Sequence, residues 1–290
     1  TPFRTGSVTK MFTAVIIMQL YDEHQLDLTT TVAEILPEVK GNIPDAERMT
    51  VEQLLNHTSG LRQPTDDDVS YQLSVINNPD YIGSLDAHER LEQYIYGKAL
   101  KHVPGEDSYY SNAGYWLLQW IIENITSKSL QQNIAERITD PLGMEHTYLE
   151  KRTNPDVSRG YNFSGSLMKD VTIWDRADSD GDPSAGVISD ARDLLLFGEA
   201  LITGHLVSDT SLSLMKTTTS FPSCGGDCGY GLGMESWHTG QNSGFGKNGS
   251  SIGVDANLIY FPEQQKTIVI FSNFGGGHAK SVIDTLLAVE

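Results

Sequence analysis

The 290-residue chain has no stretch near the roughly 20 apolar residues a membrane helix needs; Val15 to Leu20 is apolar but too short. Basic residues are scarce. Lys plus Arg number 20 against 38 Asp plus Glu, a formal net charge of −18. Such a surface repels nucleic acid and anionic membranes, so neither is expected as a partner, and the acidity reads as a solubility device. Internal repeats and low-complexity tracts are missing. The eight histidines are scattered and form no His-Glu-x-x-His pattern, which leaves zinc catalysis unsupported. His57 reads as a brace for its turn.

Cysteine is nearly absent. Cys224 and Cys228 share the loop Cys-Gly-Gly-Asp-Cys, and two ligands cannot close a structural zinc site, which takes four. A disulfide there fits an exported protein, whereas two free thiols fit a cytosolic one; we favour the disulfide, and with it a periplasmic or secreted location. Asp178-Ser179-Asp180-Gly181-Asp182 hints at a calcium loop. It has Pro183 and Ser189 where that motif requires Gly and Glu, so it reads as a solvated acidic loop. No metal and no cofactor is called for. The chain starts with Thr rather than Met, as a mature chain or a fragment would.

What is present suits a globular protein. Hydrophobic residues make up 39 %, enough for a core. A helix is expected from Ser7, with Met11, Ala14, Val15 and Met18 at helical spacing. Thr50 caps a short helix, and residues 62–85 read as polar and irregular. Further helices are expected over 86–100, 113–125, 129–138 and 190–202, the last stopped by Gly204. Val254–Phe261 and Lys266–Ser272 read as an antiparallel hairpin, followed by a closing helix from His278. Helices in the middle and strands at the end make the class α+β.

Three short motifs carry chemistry. In Ser7-Val8-Thr9-Lys10, a Ser and a Lys three apart on a helix lie on one face. A neutral lysine could then take the proton of a weak hydroxyl nucleophile. The tetrapeptide alone is weak, for Ser166–Lys169 and Ser213–Lys216 repeat it. The first copy differs in context, since Thr5-Gly6 turns straight into an apolar helix.

Tyr110-Ser111-Asn112 is the chain's one Tyr-x-Asn. A phenol can act as general base if a cation such as Lys10 lowers its pKa, and the Asn112 amide suits a peptide-like substrate. Alternatively, Asn112 caps the next helix and Tyr110 packs as an aromatic. Lys247-Asn248-Gly249-Ser250 precedes the hairpin and can place a lysine toward a cleft. The backbone N–H groups of Ser7 and Ser250 could form an oxyanion hole. His238-Thr239-Gly240 competes with it, but spacing puts Lys247 at the head of the strand before the hairpin.

In this order the three motifs resemble the serine β-lactamase and D-alanyl-D-alanine carboxypeptidase family, in the branch of class C β-lactamases, D-aminopeptidases and esterases. Leu54–Leu61, Pro141–Met144, Ala185–Ser189 and Tyr230–Gly233 fit as well, so the likeness spans nearly the whole chain. The resemblance implies Ser7 as nucleophile, Lys10 and Tyr110 in proton transfer, Asn112 on a substrate amide, and Lys247, Asn248 and Gly249 in substrate binding. It also implies a β-lactamase/transpeptidase-like fold, an antiparallel sheet flanked by helices plus a helical domain.

Two features depart from the family. Lys-Asn-Gly stands where the family usually has Lys-Thr-Gly or His-x-Gly, which leaves recognition of a substrate carboxylate open. Only six residues precede Ser7, so the family's N-terminal strands have no counterpart in this chain. The strand Lys266–Ser272 would then form a sheet edge, to be covered by a missing N-terminal segment or by another chain. The expected architecture is an α+β domain of residues 1–30 and 205–290 with a mainly helical domain, 31–204, inserted. The expected activity is acyl transfer through Ser7 on D-amino-acid peptides or β-lactams. The alternatives are a carboxylesterase and, from another class, a binding or scaffolding protein with a silent site.

Overall fold

The computed structural model describes residues 1–149, 156–221, 228–276 and 279–288. Its strands are β1 (Phe3–Arg4), β2 (Tyr161–Ser164), β3 (Leu167–Asp170), β4 (Ile188–Ser189), β5 (Thr219–Ser220), β6 (Gly229–Tyr230), β7 (Glu235–Thr239), β8 (Asn242–Ser250), β9 (Asp255–Phe261) and β10 (Lys266–Ser272). The last six form one antiparallel sheet in the order β10-β9-β8-β7-β6-β5. The expected hairpin is β9–β10, with Ile268 opposite Ile259. β1 pairs with β4 and β2 with β3, both outside that sheet. β10 is the outermost strand, and no described strand lies beyond it.

Helices cover both faces of the sheet. The helix Ala191–Ile202 packs on β9 and β10 and joins the main core, where the bare Cα of Gly198 lets it approach; a Cβ there would sit 2.9 Å from Leu258 Cδ1. Ile283 of the closing helix Ala279–Leu287 covers the other face, against Ile259, Phe261 and Ile268. Every other residue of β10 therefore faces a different core, which is why the strand alternates so little in hydrophobicity.

The nucleophile helix Thr9–Asp22 is buried along nearly its whole length, from Lys10 to Met18 without a break. It is hydrophobic all round, as a helix through the centre of a protein must be. The helix Asn112–Thr126 packs beside it, carrying the buried Tyr115, Trp116, Leu118 and Ile121. Asp190 caps the helix Ala191–Ile202 and Thr50 forms a capping box with Gln53, both at expected starts.

Several expectations need correction. Residues 62–85 are not irregular: they form helices over Pro64–Asp67, Val69–Asn77 and Pro79–Ser84. Their start signals, two prolines in the first turn and the capping Asp68, stood in the sequence. The helix expected over 86–100 runs only from Ala87 to Tyr94; Tyr96 N–H turns back to the Leu91 carbonyl and Gly97 takes φ +70°.

The acidic loop is not solvated. Asp175, Asp180 and Asp182 are buried, and they meet Arg4 and Arg90. Lys247 lies in the second half of β8 rather than at its head. Cys224 falls outside the described residues; Cys228 is described and carries no free thiol.

Candidate active site

Thr5 and Gly6 set the position of Ser7. Gly6 takes φ +51°, a left-handed value that favours glycine, and a one-turn 3-10 helix over Gly6–Val8 leads into Thr9–Asp22. Ser7 thus sits in a first turn, where backbone N–H groups have no helical carbonyl to meet. β8 passes against this turn without a side chain between them. A Cβ on Gly249 would lie 2.0 Å from the Thr5 carbonyl oxygen and 2.8 Å from Ser7 N. The glycine of Lys-Asn-Gly is therefore a close-approach residue, and it brings the Ser250 amide nitrogen beside Gly6.

Lys10 is fully buried, and its Nζ lies 3.1 Å from Ser7 Oγ. Nζ also donates to Asn112 Oδ1 at 2.8 Å and to the Ser184 carbonyl at 3.0 Å. Burial, followed by the charge of Lys247, holds the Lys10 pKa well below its ordinary value. A neutral amine has two N–H donors and one lone pair. Asn112 Oδ1 and the Ser184 carbonyl can only accept, so they take both donors and leave the lone pair facing Ser7 Oγ.

Tyr110 donates its hydroxyl to Ser7 Oγ at 2.8 Å. Burial pushes its pKa well above the ordinary phenol value. That direction is opposite to the lowered pKa a base role would need, and in the bond to Ser7 Oγ the phenol is the donor. Its ring packs on His57 with centroids 4.2 Å apart and the planes tilted by 36°, and His57 Nδ1 accepts the Ser111 N–H at 3.2 Å. Burial, then Lys10 and Lys247, keep the His57 pKa well below its usual value, so the ring is a neutral brace. Asn112 does not cap its helix. Ser111 holds the cap position, Gln63 Oε1 accepts the Asn112 N–H at 2.7 Å, and the Asn112 side chain is left for Lys10.

Lys247 is 2 % exposed and pairs with Glu235 of β7, with Asn248 Oδ1 at 2.8 Å as a second partner. Its Nζ lies 5.7 Å from the Tyr110 ring and 5.6 Å from the Tyr230 ring. Ser7, Tyr110, Glu235, Lys247, Asn248 and Ser250 line one open cavity of about 280 Å³. Of the residues the three motifs offer, Ser7, Tyr110, Lys247, Asn248 and Ser250 line this cavity, Lys10 and Asn112 lie behind Ser7, and Gly249 lies against the Ser7 turn. Glu235 and Ser184 carry no local sequence signal. Tyr230 lies in the matching segment Tyr230–Gly233, where Gly233, at φ +80°, approaches Ala14 so closely that a Cβ would lie 2.3 Å from the Ala14 methyl.

The competing motifs lie elsewhere. His238 is exposed on β7 beside Ser243, Ser166–Lys169 falls on the exposed β2–β3 hairpin, and Ser213–Lys216 ends the helix Asp209–Lys216.

Comparisons with known proteins fit this arrangement. The Beta-lactamase family model matches residues 1–290. Protein flp of Staphylococcus aureus strain MW2 is 32 % identical over 202 residues, which covers 67 % of this chain but only 37 % of that longer protein. Among solved structures, a D-stereospecific amidohydrolase from Streptomyces sp. is 27 % identical with a TM-score of 0.88, over 98 % of this chain and 86 % of the other. The D-amino acid amidase of Ochrobactrum anthropi SV3 is 25 % identical with a TM-score of 0.81, over 99 % and 82 %. Fold and family match agree along the full length, and the chain belongs to the beta-lactamase family of serine hydrolases.

Proposed function

We propose that the protein hydrolyses amide bonds of D-amino-acid derivatives through an acyl-enzyme on Ser7. The observation that carries this reading is the double contact on Ser7 Oγ, from Lys10 Nζ at 3.1 Å and from the Tyr110 hydroxyl at 2.8 Å. Lys10, neutral through burial, takes the Oγ proton as Oγ bonds to the substrate carbonyl carbon. The backbone N–H groups of Ser7 and Ser250 would receive the oxyanion, a role supported by the Ser250 nitrogen lying beside Gly6. Tyr110 gives its proton to the departing nitrogen, and the proton that Lys10 took from Oγ passes on to the Tyr110 phenolate, which leaves Lys10 neutral again. Water then attacks the acyl carbonyl, Lys10 takes the proton that the water loses, and it returns that proton to Ser7 Oγ as the acyl–Oγ bond breaks. Asn112 positions Lys10 through its carbonyl oxygen.

The substrate class draws support from relatives titled a D-stereospecific amidohydrolase and a D-amino acid amidase. β-Lactams and simple esters use the same acyl transfer and belong in the same assay. An exported location accords with Cys228 having no free thiol.

Intact-mass measurement after incubation with a fluorophosphonate tests the reading. One adduct on Ser7 is expected, absent in Lys10→Ala. Lys169→Ala and Lys216→Ala, at the competing motifs, should label as wild type does. A folded protein that never gains an adduct would refute acylation through Ser7.

A further inference from the structure

In the cavity beside Ser7 the described lining carries two charges, Glu235 and Lys247, and they are spent on each other. The Lys247 ammonium has three N–H donors. One goes to Glu235 Oε1, one to Asn248 Oδ1, and the rings of Tyr110 and Tyr230 border what remains. The Lys247 side chain is 2 % exposed and that of Glu235 16 %. A substrate carboxylate could reach this ammonium only by displacing Glu235. That would strand a largely buried carboxylate and place a second one beside it, and breaking a buried pair carries a heavy penalty. Asn248, where the family usually has a threonine, spends its side-chain oxygen inward on Lys247.

We propose that Glu235 is a specificity residue. By neutralising Lys247 it makes the site select acyl donors with no carboxylate next to the scissile bond, namely amides and esters, over peptides ending in a free carboxylate. The selection rests on the amide hydrolysis proposed above, and it concerns charge at the leaving-group side, which that reading leaves open. Glu235 does not enter the bond-making step. Its role is electrostatic, through Lys247.

The test compares N-acetyl-D-alanyl-D-alanine with its C-terminal amide, two probes that differ in one charge. Wild-type kcat/KM should favour the amide at least tenfold. Glu235→Gln should lower that preference at least tenfold, chiefly by improving the carboxylate form. Equal turnover of the two probes by wild type would overturn the proposal, as would an unchanged ratio in the variant. If Glu235→Gln fails to fold, shown by loss of its melting transition, the wild-type ratio alone decides. Fluorophosphonate labelling separates the two readings. Should Ser7 never label, amide hydrolysis fails, and calorimetric binding of the same two dipeptides still reads the charge selection, with tighter binding of the amide expected. Absence of both turnover and binding at millimolar concentration would also overturn it.

Discussion

The indole Nε1 of Trp116 donates to Asp182 Oδ2 at 2.6 Å, and this bond ties the acidic stretch to the wall behind Lys10. The other oxygen of Asp182 accepts the Ser184 N–H at 2.7 Å, and the Ser184 carbonyl in turn accepts from Lys10. Arg90, 2 % exposed, closes the network at 3.3 Å from Asp182 and also donates to the Tyr71 hydroxyl at 3.0 Å. Asp182 is thus a positioning residue two contacts from Lys10 and three from Ser7.

Asp182→Ala should therefore damage both stability and the site. It leaves Arg90 buried without its carboxylate, a loss on the order of 3–5 kcal/mol. A large drop in the denaturant midpoint is expected, with slower fluorophosphonate labelling in the fraction that stays folded. An unfolding free energy within about 0.5 kcal/mol of wild type, the usual range for surface changes, would show that the network does not hold the wall.

The pH profile of kcat/KM should have displaced limbs. With Lys10 as the base of the proposed mechanism, activity falls as pH drops through the Lys10 pKa. Burial and Lys247 set that pKa well below the ordinary lysine value, which puts the acid limb far below the usual lysine range. The charge of Glu235 raises the Lys10 pKa and that of Lys247 lowers it. Glu235→Gln should therefore move the acid limb to lower pH, and Lys247→Met should move it to higher pH. Activity also requires Tyr110 as a phenol. Burial places the alkaline limb well above the ordinary tyrosine value. Parallel shifts in the two variants would mean that Lys10 is not the titrating base.

Gly249→Ala tests the close approach of β8 to the nucleophile turn. The added methyl meets the Thr5 carbonyl at 2.0 Å and Ser7 N at 2.8 Å, both backbone atoms that cannot swing aside. Overpacking of this kind costs about 1–3 kcal/mol. The strand must move from Ser7, and the Ser250 amide moves with it. Labelling should slow at least tenfold while the melting transition survives. Gly240→Ala makes a useful contrast: no atom lies within 4 Å of a Cβ there, although its φ of +59° adds backbone strain.

Local signals carried much of this site. Ser7 and Lys10 needed only helical spacing and the Thr5-Gly6 turn, and the hairpin needed only two β-rich runs about a short break. What escaped depended on partners distant in sequence. Glu235 meets Lys247 through the pairing of β7 with β8, and no periodicity shows which residue a register brings opposite a lysine. The acidic run looked solvated because its counter-ions, Arg4 and Arg90, lie 176 and 92 residues away. A base role for Tyr110 follows from a neighbouring cation only if the phenol stays solvated; burial instead raises the Tyr110 pKa and lowers that of Lys10, and burial is not legible locally. The helices between 62 and 85 were within reach, since Pro64, Asp68 and Pro79 are start signals that the general polarity of the segment masked.

The edge of the sheet yields the last prediction. β10 pairs with β9 on one side, and no described strand pairs with its other side. Thr267 to Phe271 is β-forming and uncharged, and of these residues only Ile268 is buried. A bare edge of this kind recruits another strand. The 290-residue chain on its own should self-associate through β10 as concentration rises. Ile270→Lys would put a charge on the strand and should reduce that association. Light scattering across a concentration series reads it, and hydrogen exchange locates it, since outward-facing β10 amides should become protected as the associated form accumulates. A longer form of the chain that supplies a strand should show the same protection at the lowest concentration and no association. If the 290-residue chain stays monomeric at every concentration while those amides exchange freely, the edge is tolerated bare and the expectation of a covering strand is wrong.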